Sequence, residues 1–278
     1  MCELLGMSCR QPTQLTFSLE ALASHSESPS RQRDGWGIAF YEGQDVELFR
    51  EPIPASDSPL ASFLAQHGPQ TDLAIAHIRH ATRGGVNLAN TQPFLRELDG
   101  RIHAFAHNGD LPNIDQASNF SFGRFRPVGT TDSEHAFCSL MGKMALLGQK
   151  PSFEQRHEVV QRFAQSLRKL GPANFLYSDG EILFAYADRR MQSDTQEVTA
   201  PGLYLYTCLC ELPDEGLKTA GVFVAPGFQE VALVASVPLT TDSSAWRALD
   251  EGELLAISEG RLLYPSLDNV AQRGMGAS

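Results

Sequence analysis

The sequence lacks any apolar run near the roughly 20 residues that a membrane-spanning helix requires. It also lacks a basic excess: 22 Lys and Arg face 33 Asp and Glu, a formal net charge of −11. So acidic a chain is a poor partner for nucleic acid or for an anionic membrane surface. Small molecules and soluble proteins remain. Cysteine is sparse, with five among 278 residues, at positions 2, 9, 138, 208 and 210. An odd count at irregular spacing is not a disulfide framework. Cys208 and Cys210 form C-x-C without a second knuckle, which argues against zinc. The start has no basic n-region and no apolar h-region of a signal peptide, and no repeat of solenoid or propeller period occurs. The expectation is a cytoplasmic protein with reduced thiols, no metal and no cofactor.

What is present is a succession of short apolar runs punctuated by turn signals. Residues 2–7 (CELLGM), 72–80 and 101–109 read as buried strands, and 36–51 as a hairpin around Glu42-Gly43-Gln44-Asp45. Residues 16–23 read as a short helix, 24–33 as a polar loop, and 58–68 as a helix stopped by Gly68. Two longer helices follow, one from Thr131 and one from Ser152, where Gln155 completes a capping-box pattern. Residues 173–188 form a hairpin signal with Asp179-Gly180 in the turn, and further strands are expected at 202–207, 221–225, 230–236 and 253–264. Short connections between strands favour antiparallel pairing. Two antiparallel sheets with helices outside would bury this much apolar strand. Residues 2–265 read as one α+β domain, and 266–278 as a tail with little to bury.

Taken singly, the polar candidates are ambiguous. HIRHATRGG (77–85) holds H-x-x-H, but on a strand His77 and His80 point to opposite faces. Arg79 is either a surface ion pair or a guanidinium held rigidly for a carboxylate. Asn108-Gly109 is either a turn or, at a strand end, an oxyanion site where the missing Cβ lets a ligand approach the backbone. Asp132 is either an N-cap or a carboxylate placed to hold an ammonium group. Cys2, directly behind Met1, becomes a thiol and a free amine on one residue once the methionine is removed.

In combination these residues are far more specific. Cys2, H-x-R-x-A-T, N-T-x-P, H-N-G and T-D-S-E occur in that order, and DGWGIAFY (34–41) fits between the first two. This pattern closely resembles the stand-alone class II glutamine amidotransferases, which are N-terminal-nucleophile hydrolases. The motifs cover the chain from Cys2 to about Glu134. The resemblance implies a four-layer α/β/β/α sandwich and assigns Cys2 as the nucleophile. It also implies Asn108 and Gly109 as the oxyanion hole, Arg79 and Asp132 as the holders of the α-carboxylate and α-ammonium of glutamine, and Thr82 as part of the pocket. Where synthase-linked relatives have N-x-H-P this chain has NTQPF, and His80 stands where some relatives carry Trp, so neither Gln92 nor His80 receives a catalytic role.

The chemistry requires these residue types. A cysteine thiol titrates near 8.5 and an α-amine near 7.7–8.0. The amine therefore takes the thiol proton and returns it to the leaving nitrogen. The expected reaction turns glutamine into glutamate and ammonia through a γ-glutamyl thioester. The alternatives are a hydrolase of γ-glutamyl amides or peptides with the same machinery, and a non-catalytic glutamine-binding module. The expected partner is a small-molecule substrate, with an acceptor subunit in trans as the other route for the ammonia.

Overall fold

The computed structural model describes residues 2–14, 34–80, 84–192, 195–212, 217–219, 222–224, 227–240 and 243–264. The expected helix at 16–23, the loop at 24–33, Thr82 and the tail at 266–278 lie outside the described residues.

In chain order the first strands are β1 (Glu3–Gln14), β2 (Gly35–Glu42), β3 (Asp45–Glu51), β4 (Gln70–Arg79), β5 (Phe94–Leu98) and β6 (Arg101–Gly109). Next come β7 (Ala173–Ser178), β8 (Leu183–Tyr186), β9 (Arg190–Met191), β10 (Val198–Thr199) and β11 (Tyr204–Leu212). The last are β12 (Leu217–Thr219), β13 (Val222–Val224), β14 (Gly227–Ala235), β15 (Arg247–Ala248), β16 (Leu254–Ser258) and β17 (Arg261–Leu263). The first sheet runs β15-β11-β14-β1-β4-β2-β3, with the β12–β13 hairpin joined to β1. The second runs β17-β16-β8-β7-β6-β5, and β9 and β10 form a small ribbon. The strand pairs are antiparallel, as the short connections predict.

The helices are α1 (Pro59–His67), α2 (Asp132–Met144) and α3 (Phe153–Leu167). Each begins where a side chain satisfies an orphan amide. Ser58 Oγ accepts from Ala61 N at 2.9 Å, and Thr131 Oγ1 from Glu134 N at 3.2 Å. At α3 the capping box is complete: Ser152 Oγ accepts from Gln155 N, and Gln155 Oε1 from Ser152 N.

Burial sorts the elements into four layers. Leu4, Ile75, Ala104, Ala106, Leu176 and Val234 fill the space between the sheets. Leu5, Met7, Ile38 and Ala76 line the outer face of the first sheet, where α1 contributes Ala61 and Leu64. Phe105, Phe175 and Tyr186 line the outer face of the second, under Phe137 and Met141 of α2 and Phe163 and Leu167 of α3. This is the four-layer α/β/β/α sandwich that the resemblance implies. The sheets pack tightly at Gly6, where a Cβ would press within 2.9 Å of Leu183 Cδ2.

Two local expectations need correction. The 253–264 run is a hairpin, with β16 and β17 turning at Glu259-Gly260. Cys2, Cys9 and Cys138 are free thiols, but Cys208 is disulfide-bonded, against the expectation that all five are reduced. Spacing along the chain does not reveal which sulfurs the fold brings within bonding reach.

Three core histidines are held neutral. Burial pushes His77 down to about 3, helped by Arg79. It pushes His103 to about 4, and His107 to about 4 against the opposing pull of Asp132 and Asp110. An unfolded histidine titrates near 6.5. The stability from these rings is therefore full above pH 6.5 and is lost as the pH falls, down to about 4 for His103 and His107 and about 3 for His77, at about 1.4 kcal/mol per pH unit for each ring. Denaturant midpoints measured from pH 7 to pH 5 should fall steadily. A flat profile would contradict neutral burial of the three rings.

Candidate active site

Side chains alternate along a strand, and this alternation gathers the polar candidates at one end of the sandwich. On β4, Leu73 and Ile75 face the second sheet; by the same period His77 and Arg79 do so too. On β6, Ala104 and Ala106 face inward, and Asn108 continues that row. On β1, Leu4 faces inward, as does Cys2 immediately before the strand.

The distances bear this out. Asn108 Nδ2 donates to the backbone carbonyl of Cys2 at 2.7 Å, joining one sheet to the other. Cys2 Sγ accepts from His80 N at 3.2 Å and lies 3.4 Å from His80 O. Burial raises the Cys2 thiol above its ordinary value, while the His80 N–H and the Arg79 charge pull it back. His80 thus acts through its backbone. Its ring stands 3.8 Å from Asp34.

Arg79 is buried rather than a surface ion pair, with 4% of its area exposed. It donates to Gly85 O at 3.1 Å and Gly84 O at 3.3 Å. The 84–90 loop is tied in turn to the entry of α2 by Asn90. The Asn90 amide donates to Gly85 O and accepts from Thr130 N at 2.8 Å. Glu134 holds the same entry by accepting from Val128 N and Gly129 N and by pairing with Arg96. Asp132 is not the N-cap; Thr131 is, and Asp132 is the first helical residue. Its carboxylate accepts from Leu111 N and Ser133 N, both at 2.8 Å, which aims it towards the loop after β6.

Asn108 and Gly109 are strand residues, paired opposite Asn174 and Ala173, and do not form a turn. Gln92 has a structural role rather than a catalytic one. β5 pairs with β6 only as far as Phe94 opposite Phe105. Two residues on, the Gln92 side chain takes the place of a strand partner: Oε1 accepts from His107 N at 2.6 Å, and Nε2 donates to His107 O at 3.2 Å. Backbone groups of a strand point to alternate edges with a period of two. The Gly109 N–H therefore points to the edge of His107, beyond the end of β5. A Cβ on Gly109 would collide with the carbonyl of Pro172. On the other edge Asn174 Nδ2 donates to Asn108 O at 3.2 Å. Gln92, Asn174, Asn90 and Glu134 all act at long range; Asn90 and Glu134 are fixed positions of the recognised motifs, Gln92 is the variable position of N-T-x-P, and Asn174 belongs to none.

A cavity of about 640 Å³ opens at the opposite end, lined by Leu98, Arg101, His103, Met144, Arg156 and Asp179 among others. Arg156 is paired there with Asp179 and Glu181, and Arg101 with Glu181. It holds none of the motif residues.

The family model for class II glutamine amidotransferases matches residues 1–275. The chain belongs to the class II glutamine amidotransferases. It is 35% identical to the Escherichia coli protein named "Putative glutamine amidotransferase YafJ", over 91% of this chain and 96% of that one. It is 34% identical to a Haemophilus influenzae protein of the same description, over 94% and 85% respectively. A predicted glutamine amidotransferase from Pseudomonas aeruginosa, solved by crystallography, superposes with a TM-score of 0.68 at 33% identity, over 95% of this chain and all of that one. The glutamine phosphoribosylpyrophosphate amidotransferase of Bacillus subtilis shares the fold, with a TM-score of 0.59 at 19% identity over 94% of this chain and 48% of that one. For a class II amidotransferase the general activity is hydrolysis or transfer of the glutamine amide.

Replacing Gln92 by Ala leaves a buried N–H and a buried C=O of His107 unpaired. The expected loss is about 2–3 kcal/mol of stability, read from denaturant unfolding, together with a lower kcat. Unchanged stability would show that Gln92 is not the edge partner of β6.

Proposed function

We propose that the protein hydrolyses the side-chain amide of glutamine through a γ-glutamyl thioester on Cys2, once removal of Met1 has exposed the Cys2 amine. The observation that carries this reading is the Asn108–Cys2 contact at 2.7 Å, which sets an amide donor of one sheet against the thiol-bearing residue of the other. An amide nitrogen carries two hydrogens. Cys2 O takes one, and the second is available to a carbonyl oxygen bound against sulfur.

The steps balance as follows. Sγ attacks the γ-amide carbon while its proton passes to the α-amine. Burial keeps the resting thiol protonated, so proton transfer accompanies bond formation. The carbonyl π pair moves onto oxygen, where Asn108 Nδ2 and Gly109 N–H stabilise it. Loss of one such donor costs about 3–4 kcal/mol of barrier. The ammonium of Cys2 returns its proton to the departing nitrogen, and ammonia leaves. Water, deprotonated by the same amine, then attacks the thioester and releases glutamate and the thiol. Arg79 receives the substrate α-carboxylate and Asp132 its α-ammonium. Their separation places the γ-carbon at sulfur. The family resemblance assigns Thr82 to the substrate pocket. A γ-glutamyl amide or peptide would use the same groups, and only its leaving amine differs. The ammonia is released directly or passed to an acceptor subunit in trans.

Cys2→Ala and Cys2→Ser should abolish glutamate release while leaving the melting temperature within a few degrees. Glutamate release at the parental rate by Cys2→Ala would refute the reading. Arg79→Lys should raise KM at least tenfold with a smaller change in kcat, because a point charge replaces a bidentate fork. An unchanged KM would remove Arg79 from the carboxylate site. Assays across glutamine and a panel of γ-glutamyl amides, compared by kcat/KM, identify the leaving group.

A further inference from the structure

Beside the nucleophile lies a buried ion pair that the reaction scheme above does not use. Glu3, the residue after Cys2, is 1% exposed. Arg190, on the short β9 that follows β8, is 7% exposed. Its Nη2 donates to Glu3 Oε1 at 3.0 Å and its Nη1 to Glu3 Oε2 at 3.2 Å, a bidentate fork across 187 residues. Nη1 also donates to the carbonyl of Ser236, just past β14. Ser236 Oγ accepts from Leu4 N at 3.0 Å, and Ser236 N donates to Leu4 O at 3.0 Å. The start of β1 is thus gripped from two elements at once.

The grip extends to the oxyanion strand. Asn174, which holds Asn108 O, also donates to Arg189 O at 2.9 Å and accepts from Asp188 N at 2.7 Å. The three consecutive residues Asp188, Arg189 and Arg190 therefore touch both halves of the site. Two of them fix β7 behind Asn108, and the third fixes Glu3 behind Cys2.

We propose that Arg190 is a positioning residue for the nucleophile: it holds Cys2 against Asn108 through Glu3 and cancels the carboxylate carried by Cys2's neighbour. A fully buried carboxylate is costly unless paired. Unpaired beside Cys2, it would stabilise the ammonium over the amine and the thiol over the thiolate. The other charged groups near Cys2 are Arg79 on β4, with Asp34 and the His80 ring beyond it. His77 on β4 and His107 on β6 are neutral throughout the working range. None of these replaces Arg190 at Glu3. The effect on turnover rests on the function proposed above; the effect on Cys2 does not.

The test is the pH dependence of Cys2 alkylation by iodoacetamide, located by peptide mapping, and of kcat/KM for glutamine. The proteins compared are the parent, Arg190→Met, Glu3→Gln and the double variant Glu3→Gln/Arg190→Met. Burial raises the Glu3 carboxyl and Arg190 pulls it back, so Arg190→Met raises it further and leaves an uncancelled charge wherever Glu3 ionises; over that range the acidic limb should move up by about half a pH unit or more. Glu3→Gln leaves the cation, and its limb should move down. The double variant should return near the parental limb. If Arg190→Met does not accumulate as folded protein, the downward shift in Glu3→Gln and its reversal in the double variant carry the same test. Uniform loss of rate in the single variants, with no movement of either limb, would overturn the proposal and leave the pair a purely structural bond. Limb shifts in alkylation from a protein that never turns over glutamine would uphold Arg190's role and refute the proposed reaction.

Discussion

The pairing of β1 with β4, Glu3 opposite Ile78 and Leu4 opposite His77, determines where the second residue of the chain lies. Chain ends ordinarily fray. Here Glu3–Gln14 form an interior strand, flanked by β4 on one side and β14 on the other. With the register set, Cys2 falls beside the last residues of β4, and its sulfur meets the backbone of His80. The same register places Arg79 one residue from that contact. A slip of one residue would turn Cys2 to the outer face, away from Asn108 and the whole second sheet.

The two sheets divide the work. The first carries the thiol and the guanidinium; the second carries Asn108 and Gly109, the proposed oxyanion donors, and, through α2, the carboxylate of Asp132. Their relative placement must be right to within a few tenths of an ångström for attack to be productive. The fold meets this by packing small residues where the sheets meet, Gly6 against Leu183 and Leu176, and Ala104 and Ala106 in the inner core. It then joins the sheets with polar contacts at the end where the motif residues gather, Asn108 to Cys2 O and Arg190 to Glu3. There Asn108 meets the Cys2 carbonyl, Arg79 the carbonyls of Gly84 and Gly85, and Asp132 the amides of Leu111 and Ser133.

Local chemistry was legible in the sequence, and long-range chemistry was not. The Ser152–Gln155 capping box, the Ser58–Gly68 helix and the Asp179-Gly180 hairpin depend on neighbours in the chain, and each stands where the residues place it. The motif residues Cys2, Arg79, Asn108, Gly109 and Asp132 do cluster at one end of the sandwich. Asn-Gly at 108–109 was ambiguous by itself, because the same dipeptide serves turns and strand ends. β5 was hidden by Pro93 and by the charged Arg96-Glu97 within it. Gln92 carries no sequence signal, because its value lies in replacing a strand partner, which no spacing encodes. Asn174 and the Glu3–Arg190 pair were invisible for the same reason, since 66 residues separate the first from its contact and 187 the second.

The central claim is that Cys2, as the first residue of the mature chain, forms the covalent bond to substrate. The most direct measurement is mass mapping of the protein quenched in acid during turnover of glutamine. The account predicts a γ-glutamyl adduct on a peptide that begins at Cys2, absent without glutamine. An adduct on another residue, or glutamate release by protein that retains Met1, would contradict it.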